Sequence, residues 1–435
     1  MTACARWLIV VVSLSLACSG SSNNQTPDSG PAKVTVKGTV ISYLKRPVAG
    51  ASVLIGAAST PTGADGSFTL NDVVTPYDVS VVVGSAKLAV VYQGLTRADP
   101  TVVLPPPDAP NRAATITGTV SGAVPTGQVA QAAFGSSAAV VDNWSTVNDW
   151  IPASGQITLK PAWHGASPIM GALHILRWTP GPTANHTQTP ESFNGYLKIE
   201  PVTLTDKATA DVGSASLQAV TAQAISGSVS VPSGYVHDGR ALTFQFSDGA
   251  SMTMYDAYRG QLEANFSYAT PGGVGATVSL AAGASASTGE TLYTCSPGHA
   301  PDATQVNVTL RAAPVANLPV DGASGVDTST AFQWVAMGGA VHQVRFAPSG
   351  STANAASYPT FYVYTHGASA TIPNLATVGL PLTGAITYTW QVVGLAPFAS
   401  VDDWAVANTP SSAAPAPCSA DFQGGASKQR SFTTK

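Results

Sequence analysis

The sequence has few charged residues. Asp, Glu, Lys and Arg make up 10% of its 435 residues, and the formal net charge is −4. No segment gathers Lys and Arg into a basic stripe, so nucleic acid is not an expected partner. Glu, a strong helix former, occurs only four times, and no long segment shows the 3.6-residue periodicity of an amphipathic helix. These absences disfavour both a helical fold and nucleic-acid binding.

Turn-forming and apolar residues are abundant instead. The chain contains 41 Gly and 32 Pro, and 44% of its residues are hydrophobic. This combination is typical of many short strands joined by turns rather than of a disordered chain. The length is sufficient for three or four domains. We therefore predict an all-β protein made of tandem β-sandwich domains of transthyretin-like or Ig-like type.

Long hydrophobic runs are also missing, apart from one short run, Trp7 to Ala17, near the amino terminus. It is well below the ~20 residues of a spanning helix and follows the positive Arg6, as in a signal peptide. The sequence Leu16-Ala17-Cys18 resembles the end of a bacterial lipoprotein signal. That resemblance implies cleavage after residue 17, a lipid on Cys18, and a flexible tether over residues 18–33; Ser19 resembles the outer-membrane sorting class. The alternative is an ordinary secretory signal and a secreted protein.

Cysteine is scarce as well, with four in the chain. Cys4 lies in the signal segment and Cys18 is the predicted lipid attachment site, which leaves Cys295 and Cys418. An oxidising compartment would allow these two to pair. A disulfide needs Cα atoms within about 7 Å, whereas equivalent loops in a straight array lie a whole domain apart. The pairing of Cys295 with Cys418 is therefore left open, since it requires two domains to fold back on each other.

A short segment recurs three times and predicts the domain boundaries. It reads β-branched residue, polar residue, Gly, hydroxyl residue, Val, and it occurs at Val36–Val40, Ile116–Val120 and Ile225–Val229. The alternation fits a strand with one buried face, and its Gly indicates a bulge or a close backbone approach. The spacing suits sandwiches of about 100 residues. We predict four domains, over residues 34–105, 112–218, 224–311 and 314–435.

Two of these domains resemble known families. Gly38, Val48–Val53 and Asp65–Phe68 resemble the carboxypeptidase regulatory-like family, a transthyretin-like sandwich whose members are accessory modules without catalytic residues. A Pro-rich linker, Pro105–Pro110, follows. The last domain resembles a fibronectin type III-like sandwich, although a long segment between Leu395 and Lys428 breaks its compact spacing. The residues that carry this second resemblance are Leu318, Pro319, Trp334, Tyr388, Trp390 and Phe432.

Motifs that signal chemistry are absent from the sequence. It contains no Gly-x-Ser-x-Gly, no His-Glu-x-x-His and no phosphate-binding Gly-rich loop. The Asp residues most suited to Ca²⁺ lack an acidic loop of recognisable spacing, so we interpret Asp321, Asp327, Asp402 and Asp403 as solvated loop residues. His164, His174 and His186 lack metal-ligand spacing. We predict no catalytic residues, no metal site and no cofactor.

Tryptophan is concentrated in the second domain, which holds four of the eight in the chain: Trp144, Trp150, Trp163 and Trp178. Aromatic rings stack on sugars and tolerate a wet surface. Trp178 shares a strand face with Leu176, which favours a core position. Trp144 and Trp150 lie among polar turn residues and are the candidates for an exposed glycan-binding site.

These observations together predict a cell-envelope protein, an outer-membrane lipoprotein facing the periplasm or the cell surface. Its expected role is structural or binding rather than catalytic. Its expected partners are the membrane, through the lipid on Cys18, and a glycan or surface-protein ligand. Two alternatives remain open: a carbohydrate-binding accessory protein that uses Trp144 and Trp150, and an enzyme of unrecognised class.

Overall fold

The structure is a computed structural model. It describes residues 33–43, 45–105, 110–122, 124–139, 141–143, 150–181, 190–257, 262–407, 418 and 421–435, with the backbone alone at 255–257 and 407. Strands dominate this part of the chain, which contains a single α-helix. The predicted all-β fold is confirmed. The strands form four groups, which we call the first to fourth units.

The first unit is a two-sheet sandwich. One sheet has the order β4-β1-β7, and β3-β2-β5-β6 belong to the other. The Asp65-Gly66 turn enters β4, where Gly66 has a φ of 75°, a left-handed conformation that favours glycine. The strands are β1 (Lys33–Ile41), β2 (Ser52–Ile55), β3 (Ala58–Pro61), β4 (Ser67–Val74), β5 (Tyr77–Val83), β6 (Leu88–Leu95) and β7 (Thr101–Val103).

The described residues of the second unit contain ten strands, several of them very short. They are β8 (Arg112–Ala113), β9 (Thr115–Val120), β10 (Val129–Gly135), β11 (Val141–Asp142), β12 (Trp150–Ile151), β13 (Gln156–Leu159), β14 (Ala162–Trp163), β15 (Ile169–Pro180), β16 (Pro190–Leu204) and β17 (Thr209–Ala215). A four-stranded sheet, β12-β10-β15-β16, packs against two three-stranded sheets, β13-β9-β17 and β11-β14-β8. Their shared core contains Phe134, Trp163, Leu173 and Ile175.

The third unit repeats the two-sheet plan with longer strands. These are β18 (Thr221–Ser230), β19 (Tyr235–Phe246), β20 (Ser251–Ala257), β21 (Asn265–Gly272), β22 (Ala276–Ala286), β23 (Thr291–His299) and β24 (Val306–Thr309). The sheet β21-β18-β24 faces strands β20-β19-β22-β23.

The fourth unit contains the helix of the described chain. Its elements are β25 (Val315–Leu318), β26 (Ala323–Val326), β27 (Phe332–Val335), β28 (Val341–Pro348), β29 (Thr360–Thr365), β30 (Ser369–Ala370), β31 (Thr387–Ala396), α1 (Val401–Ala407), β32 (Phe422–Ala426) and β33 (Arg430–Thr434). An outer sheet, β25-β27-β30, covers β28, β29 and β31. Trp334, Tyr388, Trp390 and Phe432 are all buried between them.

The recurring segment has the same place in three units. Strands β1, β9 and β18 each lie at the centre of a three-stranded sheet, antiparallel to one neighbour and parallel to the last strand of the unit. A Cβ on Gly38, Gly118 or Gly227 would lie 2.7, 2.8 or 2.0 Å from the carbonyl oxygen of Pro100, Gly213 or Val306, respectively. The predicted close backbone approach is therefore confirmed.

The units are not arranged as a straight array. In the described chain, a single 14-stranded sheet runs through the third, fourth and first units. Twelve of its strands follow the order β20-β19-β22-β23-β32-β31-β28-β29-β6-β5-β2-β3, and β33 and β26 branch from it at β31. Strand β32 pairs with β23 of the third unit, and β29 pairs in parallel with β6 of the first unit. The first unit thus adjoins the last unit of the chain.

The shared sheet is buried on both faces where the first and fourth units meet. On β6, Val90 and Tyr92 face the core of the first unit, whereas Ala89 and Val91 face the core of the fourth. Burial on both faces explains why Leu88 to Tyr92 is a continuous apolar run rather than an alternating one. The sheet β4-β1-β7 and the outer sheet β25-β27-β30 therefore lie on opposite sides of a common middle layer.

The second unit covers one side of the third. The outward face of β15 carries Leu176 and Trp178, and both belong to the hydrophobic core of the third unit together with Phe244. Strand β16 packs beside β21, and β10 packs beside β20. The four-stranded sheet of the second unit therefore closes the open side of the third sandwich.

Candidate functional site

The helix α1 reinforces the pairing of β6 with β29 between the first and fourth units, and it lies in the long segment that breaks the compact spacing of the fourth unit. The Asp402 carboxylate accepts hydrogen bonds from the Thr96 amide at 3.0 Å, the Thr96 hydroxyl at 2.5 Å and the Arg97 amide at 3.2 Å. The Asp402 carbonyl accepts a fourth from Arg97 Nη1 at 3.0 Å. Asp402, expected to be a solvated loop residue, therefore binds the first unit.

An aromatic cluster lies beneath α1. Trp404 Nε1 donates to the buried Tyr92 hydroxyl at 3.0 Å, and the Trp404 ring stacks on Tyr364 with centroids 5.6 Å apart. Gln343 donates to the Tyr364 hydroxyl. Burial raises the pKa of Tyr92 to about 12 and the pKa of Tyr364 still further. Both phenols therefore stay neutral at physiological pH, as packing elements of the joint.

The third and fourth units are joined covalently as well as by strand pairing. A disulfide links Cys295 on β23 to Cys418, with Cα atoms 5.2 Å apart. The two cysteines meet because β32, which follows Cys418, pairs with β23. The folding-back that such a bridge requires is thus present in the shared sheet.

A small polar cleft opens beside this disulfide. It has a volume of about 220 Å³, and Asn307, Arg311, Asp421 and Gln423 contribute to its lining. Gln423 Nε2 donates to the Thr309 carbonyl at 2.9 Å. The cleft is smaller than the ~300–1,000 Å³ of ordinary ligand pockets, so it does not by itself indicate a substrate site.

The contact between the second and third units contains a histidine held on both ring nitrogens. His174 Nε2 lies 2.7 Å from the Asp248 carboxylate, and Nδ1 lies 2.8 Å from the Tyr196 hydroxyl. The ring stacks on Phe246 at 3.9 Å. Partial burial raises the pKa of Asp248, but hydrogen bonds from His174 and the Ala250 amide outweigh it, so that pKa lies below its usual value. His174 is buried, which suits a structural contact rather than catalysis on a solvent-borne substrate.

The tryptophans of the second unit occupy mainly interior positions. Trp178 is fully buried, as expected from its strand face, and Trp163 is buried with its Nε1 donating to the Ala166 carbonyl. Trp150 is half-buried, and its ring lies 5.3 Å from that of Trp178. The structure thus differs from the expectation of an exposed Trp150, because the unit-to-unit contact covers part of its ring. Trp144 lies outside the described residues.

The other predicted candidates have structural partners. The Asp321 carboxylate accepts hydrogen bonds from the Ser431 amide and hydroxyl, and the Asp327 carboxylate accepts hydrogen bonds from the Ser329 hydroxyl and amide. These hydrogen bonds lower the pKa of both carboxyls. Asp403 is exposed. Within the described ranges, no group of three or more His, Cys, Asp or Glu residues could hold a metal ion.

Four large aliphatic side chains are exposed together on the fourth unit, and we call them the apolar face. Val315 on β25 and Val335 on β27 are cross-strand partners and are 41% and 55% exposed. Leu318, the last residue of β25, pairs with Gln333 of β27 and is 48% exposed, and Val320 lies two residues beyond it and is 59% exposed. No sequence pattern predicts this face, because its residues alternate with core residues such as Trp334.

The predicted lipid attachment residue, Cys18, lies outside the described residues, as does most of the tether. Within the described part of the chain, no helix combines the length and the apolar character needed to cross a membrane.

Comparison with known proteins returns only distant likenesses. No protein-family model matches the chain, and no curated protein sequence matches it. Among solved structures, the Bacillus anthracis TIE protein is similar at 9% identity and a TM-score of 0.15, over 64% of this chain and 50% of that one. A variant of BcpA, the major pilin subunit of Bacillus cereus, is similar at 9% identity and a TM-score of 0.15, over 64% of this chain and 99% of that one. The shaft pilin SpaA of Lactobacillus rhamnosus GG is similar at 10% identity and a TM-score of 0.15, over 46% of this chain and 97% of that one. The chain spans half the length of the first of these, and such low TM-scores carry no argument about function.

Proposed function

We propose that this chain is a lipid-anchored cell-envelope protein with a non-catalytic, structural or binding role. The observation that carries the proposal is the way the units are joined. Strand pairing, a disulfide and buried side-chain contacts connect all four units, whereas enzymes commonly keep a cleft between mobile domains for their substrates. A body of this kind can present a surface at a fixed position and orientation.

The sequence resemblances support the same role. The first unit resembles an accessory sandwich that carries no catalytic residues, and the fourth resembles a fibronectin type III-like module. The Leu16-Ala17-Cys18 segment supports a lipid anchor, and Ser19 supports the outer membrane as its location. The competing location is the medium, if the signal is an ordinary secretory one.

Metabolic labelling with radioactive palmitate in bacterial cells tests the anchor. We expect the wild-type chain to be labelled and to fractionate with the outer membrane, and Cys18→Ala to lose the label. Cys4→Ala is the matched control, because it removes a cysteine from the same segment and should leave labelling unchanged. A processed, unlabelled wild-type chain in the soluble fraction would contradict the anchor.

A further inference from the structure

We infer that the apolar face of the fourth unit rests on the lipid surface to which the chain is anchored. The inference builds on the proposed lipid anchor and assigns a contact surface to it. Exposed aliphatic residues occur singly on most soluble proteins, but a contiguous group of them marks an interaction site. Val315, Leu318 and Val335 form such a group where β25 pairs with β27, and Val320 lies two residues beyond Leu318.

The charges around this face suit a lipid surface. The residues that share the outward side of the sheet, Gln333 and Ser369, are exposed and uncharged. Arg430 lies at the edge of the face, where its Nη1 donates to the Asn317 carbonyl at 2.6 Å and the Pro319 carbonyl at 3.1 Å. The nearby Asp321 carboxylate is engaged by Ser431. An apolar surface with an adjacent guanidinium matches the acyl boundary and phosphate layer of a membrane.

The fold brings this face within reach of the anchor. The tether enters at Lys33, in β1 of the first unit, and the first unit adjoins the fourth through β6 and β29. The outer sheet and the sheet that contains β1 flank one middle layer, so they are separated by about 20 Å at the usual spacing of stacked sheets. The chain from Cys18 to Lys33 can extend to about 50 Å. The tether is therefore long enough to let the apolar face contact the bilayer.

A second copy of the chain fits the apolar face less well than a membrane does. Four partly exposed aliphatic side chains offer far less than the ~800 Å² per partner that a stable interface buries. A membrane contact needs less intrinsic affinity, because a tethered protein experiences the surface at a high effective concentration. The small area thus favours a surface to which the chain is already attached.

The test uses the mature chain from Ser19 to Lys435, with a hexahistidine tag at its amino terminus. The tag binds nickel-chelating lipid in phosphatidylglycerol/phosphatidylethanolamine vesicles and so replaces the natural anchor. An environment-sensitive NBD dye is attached at Val335→Cys under non-reducing conditions. The control is Val236→Cys on β19 of the third unit, because Val236 is also an exposed strand valine, at 42%.

We expect tethering to increase NBD emission at least twofold at position 335 and to leave position 236 unchanged. Adding Leu318→Asp and Val320→Asp should abolish the increase, whereas adding Val236→Asp should not, with circular dichroism verifying the fold of each variant. Three results would overturn the inference: no increase at 335, an equal increase at 236, or an increase without vesicles that grows with protein concentration, which would indicate a second copy. Because the tag replaces Cys18, the outcome is independent of whether palmitate labelling succeeds.

Discussion

The joint between the first and fourth units and the joint between the second and third are built differently. The first is made by backbone pairing of β6 with β29, reinforced by Asp402 and Trp404. The second is made by side chains, with His174 and Asp248 facing each other and Trp178 entering the neighbouring core.

This difference shows two ways of covering an exposed strand edge. An unpaired edge strand is a template for unwanted association. At the first joint the edges of two units pair with each other, which removes both. At the second joint the outer edges of β20 and β21 pair with no strand of the described chain, but the packing of β10 and β16 covers them. A paired edge tolerates side-chain changes, whereas a covered edge depends on close packing.

The largest effect is expected at the covalent link of the paired arrangement. Replacing both cysteines, Cys295→Ser with Cys418→Ser, should lower the free energy of unfolding by about 5 kcal/mol, because the bridge closes a loop of 123 residues and restricts the unfolded chain. Urea unfolding without reductant measures the change. Urea unfolding of the wild-type protein with reductant should show the same decrease. An unchanged urea midpoint in the double variant would refute a stabilising disulfide.

A smaller effect should appear at the covered joint. In Gly135→Val, the new Cβ would lie 2.3 Å from the Ala250 amide nitrogen and 2.4 Å from the Asp248 carboxylate. We expect a cost of about 3 kcal/mol and faster hydrogen exchange along β20. Gly239→Ala is the matched control, because no atom lies within 4 Å of its new Cβ. Equal hydrogen-exchange rates along β20 in both variants would contradict this prediction, because they would show that close packing of the second unit is not needed to protect β20.

The smallest effect should come from Asp402→Ala at the paired joint. The substitution removes three hydrogen bonds to one carboxylate and should cost about 2 kcal/mol. Exchange of the Thr96 and Arg97 amides should accelerate roughly 30-fold, while β6 stays protected by its pairing with β29. The control is Asp403→Ala, at the exposed neighbouring residue, which should change neither the free energy of unfolding nor the exchange of the Thr96 and Arg97 amides. Loss of protection along β6 would mean that the joint depends on α1 more than on strand pairing.

The internal repeat was the most informative part of the sequence. The Gly of each recurring segment could be predicted to face a close backbone contact, because a strand interior disfavours glycine unless space is short. The 14-stranded sheet could not be predicted from these segments, since they lie in the three-stranded sheets that are separate from it. The apolar runs of β5 and β6 are the sequence pattern that predicts this sheet. The consecutive valines in Val81–Val83 and Val90–Val91 indicate strands that are buried on both faces.

The joints themselves depended on contacts between residues far apart in the chain. Asp402 and Thr96 are separated by 306 positions, and His174 and Asp248 by 74. No local pattern encodes such pairs, so the sequence predicts a solvated Asp402 and gives no sign of the Asp248 partner of His174. The exposure of Trp150 was overestimated for the same reason: its flanking residues are polar, but the surface that covers it comes from Trp178 and the neighbouring unit.

The parallel pairing of β6 with β29 has a consequence for the biogenesis of the chain. The amino-terminal unit is synthesised first, yet the strand that completes its sheet begins at Thr360. Ala89 and Val91 therefore remain without their packing partners for more than half of translation. A product truncated before Thr360 would carry an open, apolar strand edge on its first unit. The burial of that edge thus depends on the synthesis of β29 in the fourth unit.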